Sequence, residues 1–149
     1  MNIYIGADHR GFFLKKKLVK YLTGKGYSVI DVGSFKAGAP CDYPKFSEKV
    51  AKSVLADKGS RGILACMTGI GHSMAANKFR GIRAALCYNR KAAELSRSHN
   101  DANVLIVGSK FVSQKDIFGI VDAWLKTEFE GGRHLRRVNQ IKNIEKHCC

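Results

Sequence analysis

Short apolar segments alternate with amphipathic helical segments along almost the whole chain, and this alternation restricts the fold more than any other feature. The predicted strands are Asn2 to Gly6, Tyr27 to Val32, Ile63 to Cys66, Arg83 to Cys87 and Asn103 to Val107. The predicted helices are Gly11 to Gly24, Phe46 to Leu55, Ser73 to Phe79, Arg90 to Ser96 and Lys115 to Lys126. Because strands joined by single helices need right-handed crossovers, the expected fold is α/β, a three-layer α/β/α sandwich around a five-stranded parallel sheet.

The chain length of 149 residues suits a single domain with its own core. The polar stretch from Gly131 to Cys149 predicts an extra C-terminal helix outside the sheet. We therefore expect one domain over 1–149, of which 131–149 is a helical extension. No apolar segment approaches the ~18 residues that span a bilayer, and the first residues do not resemble a signal peptide. These features predict a cytoplasmic protein with no membrane partner.

The formal charge of +14, from 26 Lys and Arg against 12 Asp and Glu, attracts anions of any kind. Nucleic acid and a phosphorylated metabolite both remain possible partners on charge alone. The chain lacks an interleaved stripe of aromatic and basic residues, which makes nucleic-acid binding the weaker interpretation. A cluster of lysines near the first helix is interpreted as a solvated face: Lys15, Lys16, Lys17, Lys20 and Lys25.

The five cysteines form no C-x-x-C pair, so we expect reduced thiols in a reducing compartment. The sequence also lacks the H-x-x-E or paired acidic motif that a metal-dependent isomerase would need. No metal ligand is therefore assigned.

Residues that follow the predicted strands are the strongest candidates for a binding site, because ligands of parallel sheets bind at the carboxyl ends of the strands. Asp8, His9 and Arg10 follow the first strand, although Asp8 could simply cap the helix. The glycine-rich segment 66–73 joins the third strand to a helix, where backbone N–H groups favour an oxyanion. Cys66 begins this loop, so its pKa is expected to fall toward neutrality, making it a base or nucleophile. The plain alternative is a small buried hydrophobe.

Two further groups lie near the last strand and the C-terminal helix. His99 and Asn100 precede the fifth strand. Arg133 and Arg137 are four residues apart and would share a helix face, an arrangement that suits a phosphate dianion. A basic surface patch is the alternative interpretation.

Many ordered blocks of this sequence resemble the ribose-5-phosphate isomerase type B family, whose relatives include galactose-6-phosphate isomerase subunits. The resemblance is collinear from Asn2 to about Val138. The blocks that carry it are residues 6–11, 42–44, 66–73, 75–78, 81–84, 98–105 and 130–134.

The resemblance implies an aldose–ketose isomerase that interconverts ribose 5-phosphate and ribulose 5-phosphate through an enediolate, without a metal or nucleotide cofactor. An isomerase of allose or galactose 6-phosphate is the alternative within the family. Cys66 would be the base, Thr68 would handle the sugar hydroxyls, and Asp8 and His99 would open the furanose ring. The enediolate oxygen would be stabilised by N–H groups of the loop: Met67, Gly69, Ile70 and Gly71.

The family resemblance also assigns the remaining substrate contacts. Asn100 and Tyr43 would orient the sugar, and His9, Arg133 and Arg137 would hold the phosphate. The sequence departs from the family at three positions: Met67 replaces a usual glycine, His72 replaces a commonly apolar residue and Lys110 replaces a common arginine.

A homodimer with shared active sites, which could assemble further into a tetramer, is expected for a topological reason. Cys66, Asp8 and His9 follow strands, whereas His99 and Asn100 precede one, so the two groups should lie near opposite ends of the sheet. A two-fold dimer can bring them together. The alternatives are that His99 only caps its helix or that a long loop carries it round within one chain.

Overall fold

The structure is a computed structural model that describes residues 1–147. Its strands are β1 (Asn2–Ala7), β2 (Ser28–Asp31), β3 (Arg61–Cys66), β4 (Ala84–Leu86) and β5 (Val104–Gly108). Its helices are α1 (Phe12–Gly24), α2 (Tyr43–Ala56), α3 (Ile70–Ala76), α4 (Arg90–Ser98), α5 (Gln114–Lys126) and α6 (Gly132–His147). Strands and helices alternate from β1 to α5, as predicted. The last two residues of the predicted C-terminal helix, Cys148 and Cys149, lie outside the described residues.

The five strands form one parallel sheet in the order β2-β1-β3-β5-β4. This arrangement confirms the predicted three-layer α/β/α sandwich around a five-stranded parallel sheet, an architecture that is Rossmann-like. The strand order itself was not predictable from the alternation, because β5 inserts between β3 and β4. In the β3–β5 register, Gly62 pairs with Val104 and Cys66 pairs with Gly108. The carboxyl end of β3 therefore lies beside the loop that follows β5.

Alternate residues of the central strands feed two separate cores, one on each face of the sheet. Ile63 and Leu105 pack with residues of α1 and α5 on one face. Leu64 and Ile106 pack with residues of α2 and α3 on the other. Full burial of such aliphatic side chains contributes about 1.5–3 kcal/mol each. The double-sided burial explains why the strands are apolar throughout.

Two predicted helix starts were late by three residues. The α2 helix begins at Tyr43 and not at Phe46, because Pro44 lies in its first turn, where a missing N–H costs nothing. The α3 helix spans Ile70–Ala76 and not Ser73 to Phe79. Here Gly71 is helical, although glycine more often indicates a loop.

The interpretation of the lysine cluster as a solvated face was wrong for Lys15. This side chain is buried, and its Nζ donates to both carboxylate oxygens of Asp31 at 2.6 Å and to the Ser34 carbonyl at 2.9 Å. Burying an ammonium group is costly unless it is paired, and here Asp31 provides the counter-charge. Sequence spacing along α1 could not identify a partner on β2.

The α6 helix is the predicted element outside the sheet. It buries His134 and Val138, and Glu145 near its end accepts a hydrogen bond from the Gly81 N–H at 3.1 Å. Ile141 and Ile144 stay exposed. Among residues 1–147, no helix is sufficiently long and apolar to cross a membrane.

Candidate active site

Asp8 and Cys66 meet at the carboxyl ends of neighbouring strands. Their approach follows from the β1–β3 register, in which Ala7 pairs with Ala65. The Cys66 thiol donates to Asp8 Oδ2 at 3.3 Å. Asp8 Oδ1 accepts the N–H groups of Arg10 at 3.0 Å and Gly11 at 2.8 Å. One carboxylate thus holds the turn before α1 with one oxygen and contacts the thiol with the other.

The loop after Cys66 is fixed by close backbone contacts. Gly69 has a φ of +83°, and a Cβ there would lie 2.6 Å from Leu86 Cδ1. A Cβ on Gly108 would lie 2.6 Å from the Thr68 carbonyl oxygen. The loop after β5 also binds the Cys66 loop directly, because the Lys110 N–H donates to the Met67 carbonyl at 2.8 Å. These contacts hold the loop against the end of β5.

The expected fall in the pKa of Cys66 is contradicted. Burial, as the largest cause, raises the pKa of the Cys66 thiol, and the Asp8 carboxylate raises it further. The N–H groups of Gly69 and Met67 donate to the sulfur and lower the pKa, as the loop pattern predicted. Their effect is smaller than the combined effect of burial and Asp8, so the pKa is raised overall. Sequence reasoning placed Asp8 and Cys66 at the same edge of the sheet but did not predict that the carboxylate contacts the thiol. In the free protein Cys66 is therefore a protonated thiol near neutral pH.

His72 lies beside this pair and is fully buried. One of its ring nitrogens, the Cys66 sulfur and an Asp8 carboxylate oxygen all lie within 4.8 Å of one another. Its Nδ1 is 2.7 Å from Ser47 Oγ, on α2. Burial lowers the pKa of His72 to about 4. Sequence reasoning noted His72 as a departure near the loop but could not see that its side chain turns inward onto α2.

Three other residues predicted at this end of the sheet, His9, Tyr43 and Thr68, have local contacts that position them. The His9 N–H donates to Cys41 Sγ at 3.1 Å, and the Cys41 N–H donates to His9 Nδ1 at 3.3 Å. The Tyr43 ring covers Gly71, where a Cβ would lie 2.6 Å from it. Thr68 Oγ1 accepts the Ile70 N–H at 3.4 Å. We call Asp8, Cys66 and loop 67–71 the thiol half-site.

His99 belongs to a different cluster, with His134 and Glu130. The two imidazole rings stack with their centroids 4.0 Å apart, and Glu130 Oε2 lies 3.9 Å from His99 Nε2 and 3.6 Å from His134 Nε2. Burial and then the neighbouring His99 lower the pKa of His134. Arg133 Nε lies 3.4 Å from His134 Nε2. We call His99, Asn100, Arg133, His134 and Arg137 the histidine half-site.

Asp101 anchors the segment that carries His99 and Asn100. It has a φ of +47° and its two carboxylate oxygens each accept from one arginine, Arg83 and Arg97, at 2.8 Å. These ion pairs offset the cost of a left-handed backbone at a residue other than glycine. Sequence reasoning missed this anchor, because the two arginines come from separate segments of the chain.

The two half-sites lie at opposite ends of the sheet, as expected. Val104, which follows the His99 segment, pairs with Gly62, whereas Cys66 lies four residues further along β3. At about 3.3 Å per residue, this length of β3 alone places Cys66 roughly 13 Å along the strand direction from the start of β5. Arg133 and Arg137 are exposed on α6, and Asn100 is exposed before β5. One chain brings the thiol half-site together but does not bring these residues to it.

Within residues 1–147 the fold assembles two clusters of potential metal ligands, although the sequence contains no linear metal motif. Asp8, Cys66 and His72 form one, and His99, Glu130 and His134 form the other. Each combines residues far apart in the chain, so spacing rules could not identify them. Neither cluster by itself indicates a catalytic metal.

A cleft of about 720 Å³ lies between α6 and the β4 edge of the sheet. Ile82, Ile141 and Ile144 supply apolar walls, and Asn100 of the histidine half-site lies at its lining. The cleft therefore adjoins the histidine half-site and not the thiol half-site.

Comparison with known sequences identifies close relatives over nearly the whole chain. The sequence profile described as Ribose/Galactose Isomerase matches residues 3–141. Ribose-5-phosphate isomerase B of Escherichia coli K12 is 47% identical over 144 residues, which cover 97% of this chain and 96% of the relative. The probable ribose-5-phosphate isomerase B of Mycoplasma genitalium is 45% identical over 146 residues, or 97% and 96% of the two chains.

Solved structures agree with the sequence comparison. Ribose-5-phosphate isomerase B of Clostridium thermocellum superposes with a TM-score of 0.97 and 48% identity over 100% of both chains. The Mycoplasma genitalium enzyme with bound ribulose-5-phosphate superposes with a TM-score of 0.92 and 46% identity, covering 97% of this chain and 96% of that one. Fold and sequence therefore point to the same group of proteins.

Proposed function

Because the chain belongs to the ribose/galactose isomerase family, we propose that it interconverts ribose 5-phosphate and ribulose 5-phosphate through an enediolate. One observation carries the proposal at the level of chemistry. The Cys66 sulfur is held between the Asp8 carboxylate, which can accept its proton, and the N–H groups of Met67 and Gly69, which stabilise a thiolate. The relatives named above support the choice of substrate.

Ring opening comes first, because ribose 5-phosphate is mainly a closed furanose. The Cys66 thiol proton passes to Asp8 Oδ2, and the protonated Asp8 donates it to the ring oxygen as the bond to C1 breaks. His99 accepts the proton of the C1 hydroxyl, which leaves the open aldehyde. These steps leave Cys66 as a thiolate beside the substrate.

The isomerisation then moves one proton between two carbons. The Cys66 thiolate removes the proton from C2, and the electron pair forms an enediolate whose charge lies on O1. N–H groups of loop 67–71 stabilise that oxygen, a role that contributes about 2.7–4 kcal/mol per donor in comparable sites. Thr68 passes the O2 proton to O1, and Cys66 returns its proton to C1 to give the ketose. The proton that His99 accepted returns through solvent to Cys66 and restores the free enzyme, so atoms and charge balance without a metal or a redox cofactor.

The substrate needs both half-sites, so we propose that each active site is shared between two chains of a homodimer. His9, with Arg133 and Arg137 from the partner subunit, would bind the phosphate, while Tyr43 and the partner subunit's Asn100 would orient the sugar. Exposed apolar side chains near the loop support a partner surface, since Ile70 is 47% and Met74 64% accessible.

We also propose that residues 1–149 form one isomerase domain, with 131–149 as its helical extension. A thiol base requires reducing conditions, which favours the cytoplasm. A higher assembly of two such dimers would need no change in this site.

An assay of the purified chain with ribose, allose and galactose phosphates tests the function. We expect turnover of ribose 5-phosphate at the highest kcat/KM. A preference for a hexose phosphate would contradict the proposed substrate and leave the proposed reaction type unchanged. A salt-sensitive gel shift with DNA or RNA and no turnover would overturn the isomerase and favour nucleic-acid binding.

A further inference from the structure

The His72 imidazole has no part in the proposed isomerisation, yet it lies beside the reacting thiol. Its side chain is fully buried, and within residues 1–147 its Nε2 has no hydrogen-bond partner. A buried polar atom without a hydrogen bond destabilises the folded protein, because its contact with water is lost and not replaced. Nε2 is therefore available to bind a ligand at the active site.

The hydrogen bonds around His72 assign its protonation. We assign the Ser47 Oγ proton to the Tyr43 carbonyl, 3.3 Å away, so that this hydroxyl accepts from His72 Nδ1–H at 2.7 Å. Nε2 therefore carries the lone pair. This is the state of a metal-binding histidine, whose second ring nitrogen is usually held by an outer hydrogen bond.

The two neighbours of His72 complete a set of ligands. The Cys66 sulfur and Asp8 Oδ2 are 3.3 Å apart, and a ring nitrogen of His72 lies within 4.8 Å of both groups. Tetrahedral coordination of Zn²⁺ places such ligand atoms about 3.6 Å apart. Changes of at most about 1.2 Å in these separations would therefore close the three ligands around an ion.

We propose that Asp8, Cys66 and His72 bind a divalent transition-metal ion, with Zn²⁺ the best match, and that the bound ion inhibits the enzyme. Binding replaces the Cys66 thiol proton, which is released to solvent, and forms bonds to sulfur, nitrogen and oxygen. The fourth position stays open to water. Inhibition follows because the thiolate is no longer free to remove the C2 proton, and this consequence rests on the proposed function.

The ligand types determine which ions fit. A thiolate with an imidazole favours Zn²⁺ or Co²⁺ and disfavours Mg²⁺ and Ca²⁺, which prefer oxygen ligands. His72 supplies the residue that turns the pair Asp8 and Cys66 into a three-ligand site. Metal sensitivity should therefore depend on His72, whereas turnover should not.

Cobalt absorption tests binding without reference to activity. The protein is first reduced, freed of metal and changed at Cys148→Ser and Cys149→Ser, because adjacent thiols at the chain end also bind metals. One equivalent of Co²⁺ should give a near-ultraviolet thiolate-to-cobalt charge-transfer band and the strong visible bands of a tetrahedral site. The band should disappear in Cys66→Ala and His72→Leu and persist in Cys87→Ala, which removes another buried thiol.

Inhibition is measured separately in the same background. Zn²⁺ should abolish turnover, and EDTA should restore it. His72→Leu, which replaces the imidazole by an apolar side chain with no ligand atom, should keep turnover within about twofold. It should raise the Zn²⁺ concentration for half inhibition by at least about 100-fold, the upper end of the effect of changing an outer hydrogen-bond partner. Ser47→Ala, which removes only the outer hydrogen bond, should raise it about 10-fold and provides the test if His72→Leu does not fold.

The outcomes separate the two proposals. A cobalt band that requires His72, in a protein that turns over no sugar phosphate, would overturn the isomerase and keep the metal site. Normal turnover with no thiolate–cobalt band would overturn the metal site alone. So would normal turnover with a band and a Zn²⁺ sensitivity that is unchanged in both His72→Leu and Ser47→Ala.

Discussion

The thiol half-site and the histidine half-site are built on different kinds of support. Asp8 and Cys66 lie at the ends of two paired strands in the middle of the sheet, and backbone hydrogen bonds hold the loop beside them. His99 and His134 lie at helix ends and are held by side-chain contacts with Glu130. The arginines of this half-site are exposed on α6.

This difference matches the demands of the two tasks. Proton transfer fails with small errors of geometry, so its groups benefit from a rigid backbone frame. Phosphate binding tolerates movement, because long arginine side chains reach a dianion from several directions. The chain thus keeps its proposed reacting groups on the sheet and presents the proposed phosphate ligands to a neighbouring subunit.

Replacing Cys66 by alanine should cause the largest loss. The proposed base is removed, and general acid–base catalysis of this kind contributes about 10²–10⁴-fold to rate. Turnover of ribose 5-phosphate measures the loss, while circular dichroism and binding of a phosphorylated inhibitor show that fold and phosphate site remain. Cys87→Ala is the matched control and should keep turnover. Near-normal activity in Cys66→Ala would contradict the assignment of the base.

Mixing two inactive variants tests whether the half-sites belong to different chains. Cys66→Ala and His99→Ala are unfolded and refolded together. With shared sites, half of the dimers are mixed and each has one intact site, so about a quarter of wild-type activity returns.

Refolding each variant alone provides the control and should recover no activity. If both residues act within one chain, every site keeps one lesion and the mixture stays inactive. That result would contradict the proposal of a shared active site. The separation of the two half-sites would then have no functional explanation.

Arg137→Ala should weaken substrate binding more than it slows the reaction. Charge-assisted hydrogen bonds contribute about 1.5–3 kcal/mol, which corresponds to a KM at least about 10-fold higher. The phosphate is remote from C1 and C2, so kcat should change little. Arg136→Ala is the control, since this neighbour on α6 is also exposed but faces another direction. Equal effects of the two substitutions would indicate a general charge effect.

Asp8→Asn should have opposite effects on the reactivity of the Cys66 thiol and on isomerase turnover. The Asp8 carboxylate raises the pKa of Cys66, so its removal should lower that pKa and increase the thiolate fraction at pH 8. Alkylation of Cys66 by iodoacetamide, followed by mass spectrometry, should become a few-fold faster, whereas isomerase turnover should fall. Asp42→Asn is the control. Slower alkylation in Asp8→Asn would contradict the electrostatic role given to Asp8.

The pH dependence of the unchanged protein follows from the same groups. Because burial and Asp8 raise the pKa of Cys66, thiolate in the free protein forms only as the pH rises above the range of an ordinary thiol. The rate of Cys66 alkylation should therefore still be rising at the alkaline end of its profile. A plateau near neutral pH would show that the amides of Met67 and Gly69 dominate.

Much of the fold was readable from sequence because it depends on local periodicity. Strands such as Ile63 to Cys66 are apolar throughout, and the helices that follow them carry one apolar face. Alternation of these two patterns leaves a parallel sheet as the solution that buries both. Helix starts were less well predicted, because Pro44 and Gly71 are compatible with a loop and with a first helical turn.

The candidate site was likewise predictable from the sequence only in part. The sequence by itself determined the family, the anion-binding loop, the candidates Cys66 and His99, and their placement at opposite ends of the sheet, since strand polarity follows from chain order. Only the tertiary structure decided that Asp8 raises the pKa of Cys66, that Lys15 is buried against Asp31, and that His72 turns toward the thiol. Each of these depends on which atoms of distant segments meet within a few ångströms, and burial and Coulomb interactions at that distance cannot be deduced from periodicity.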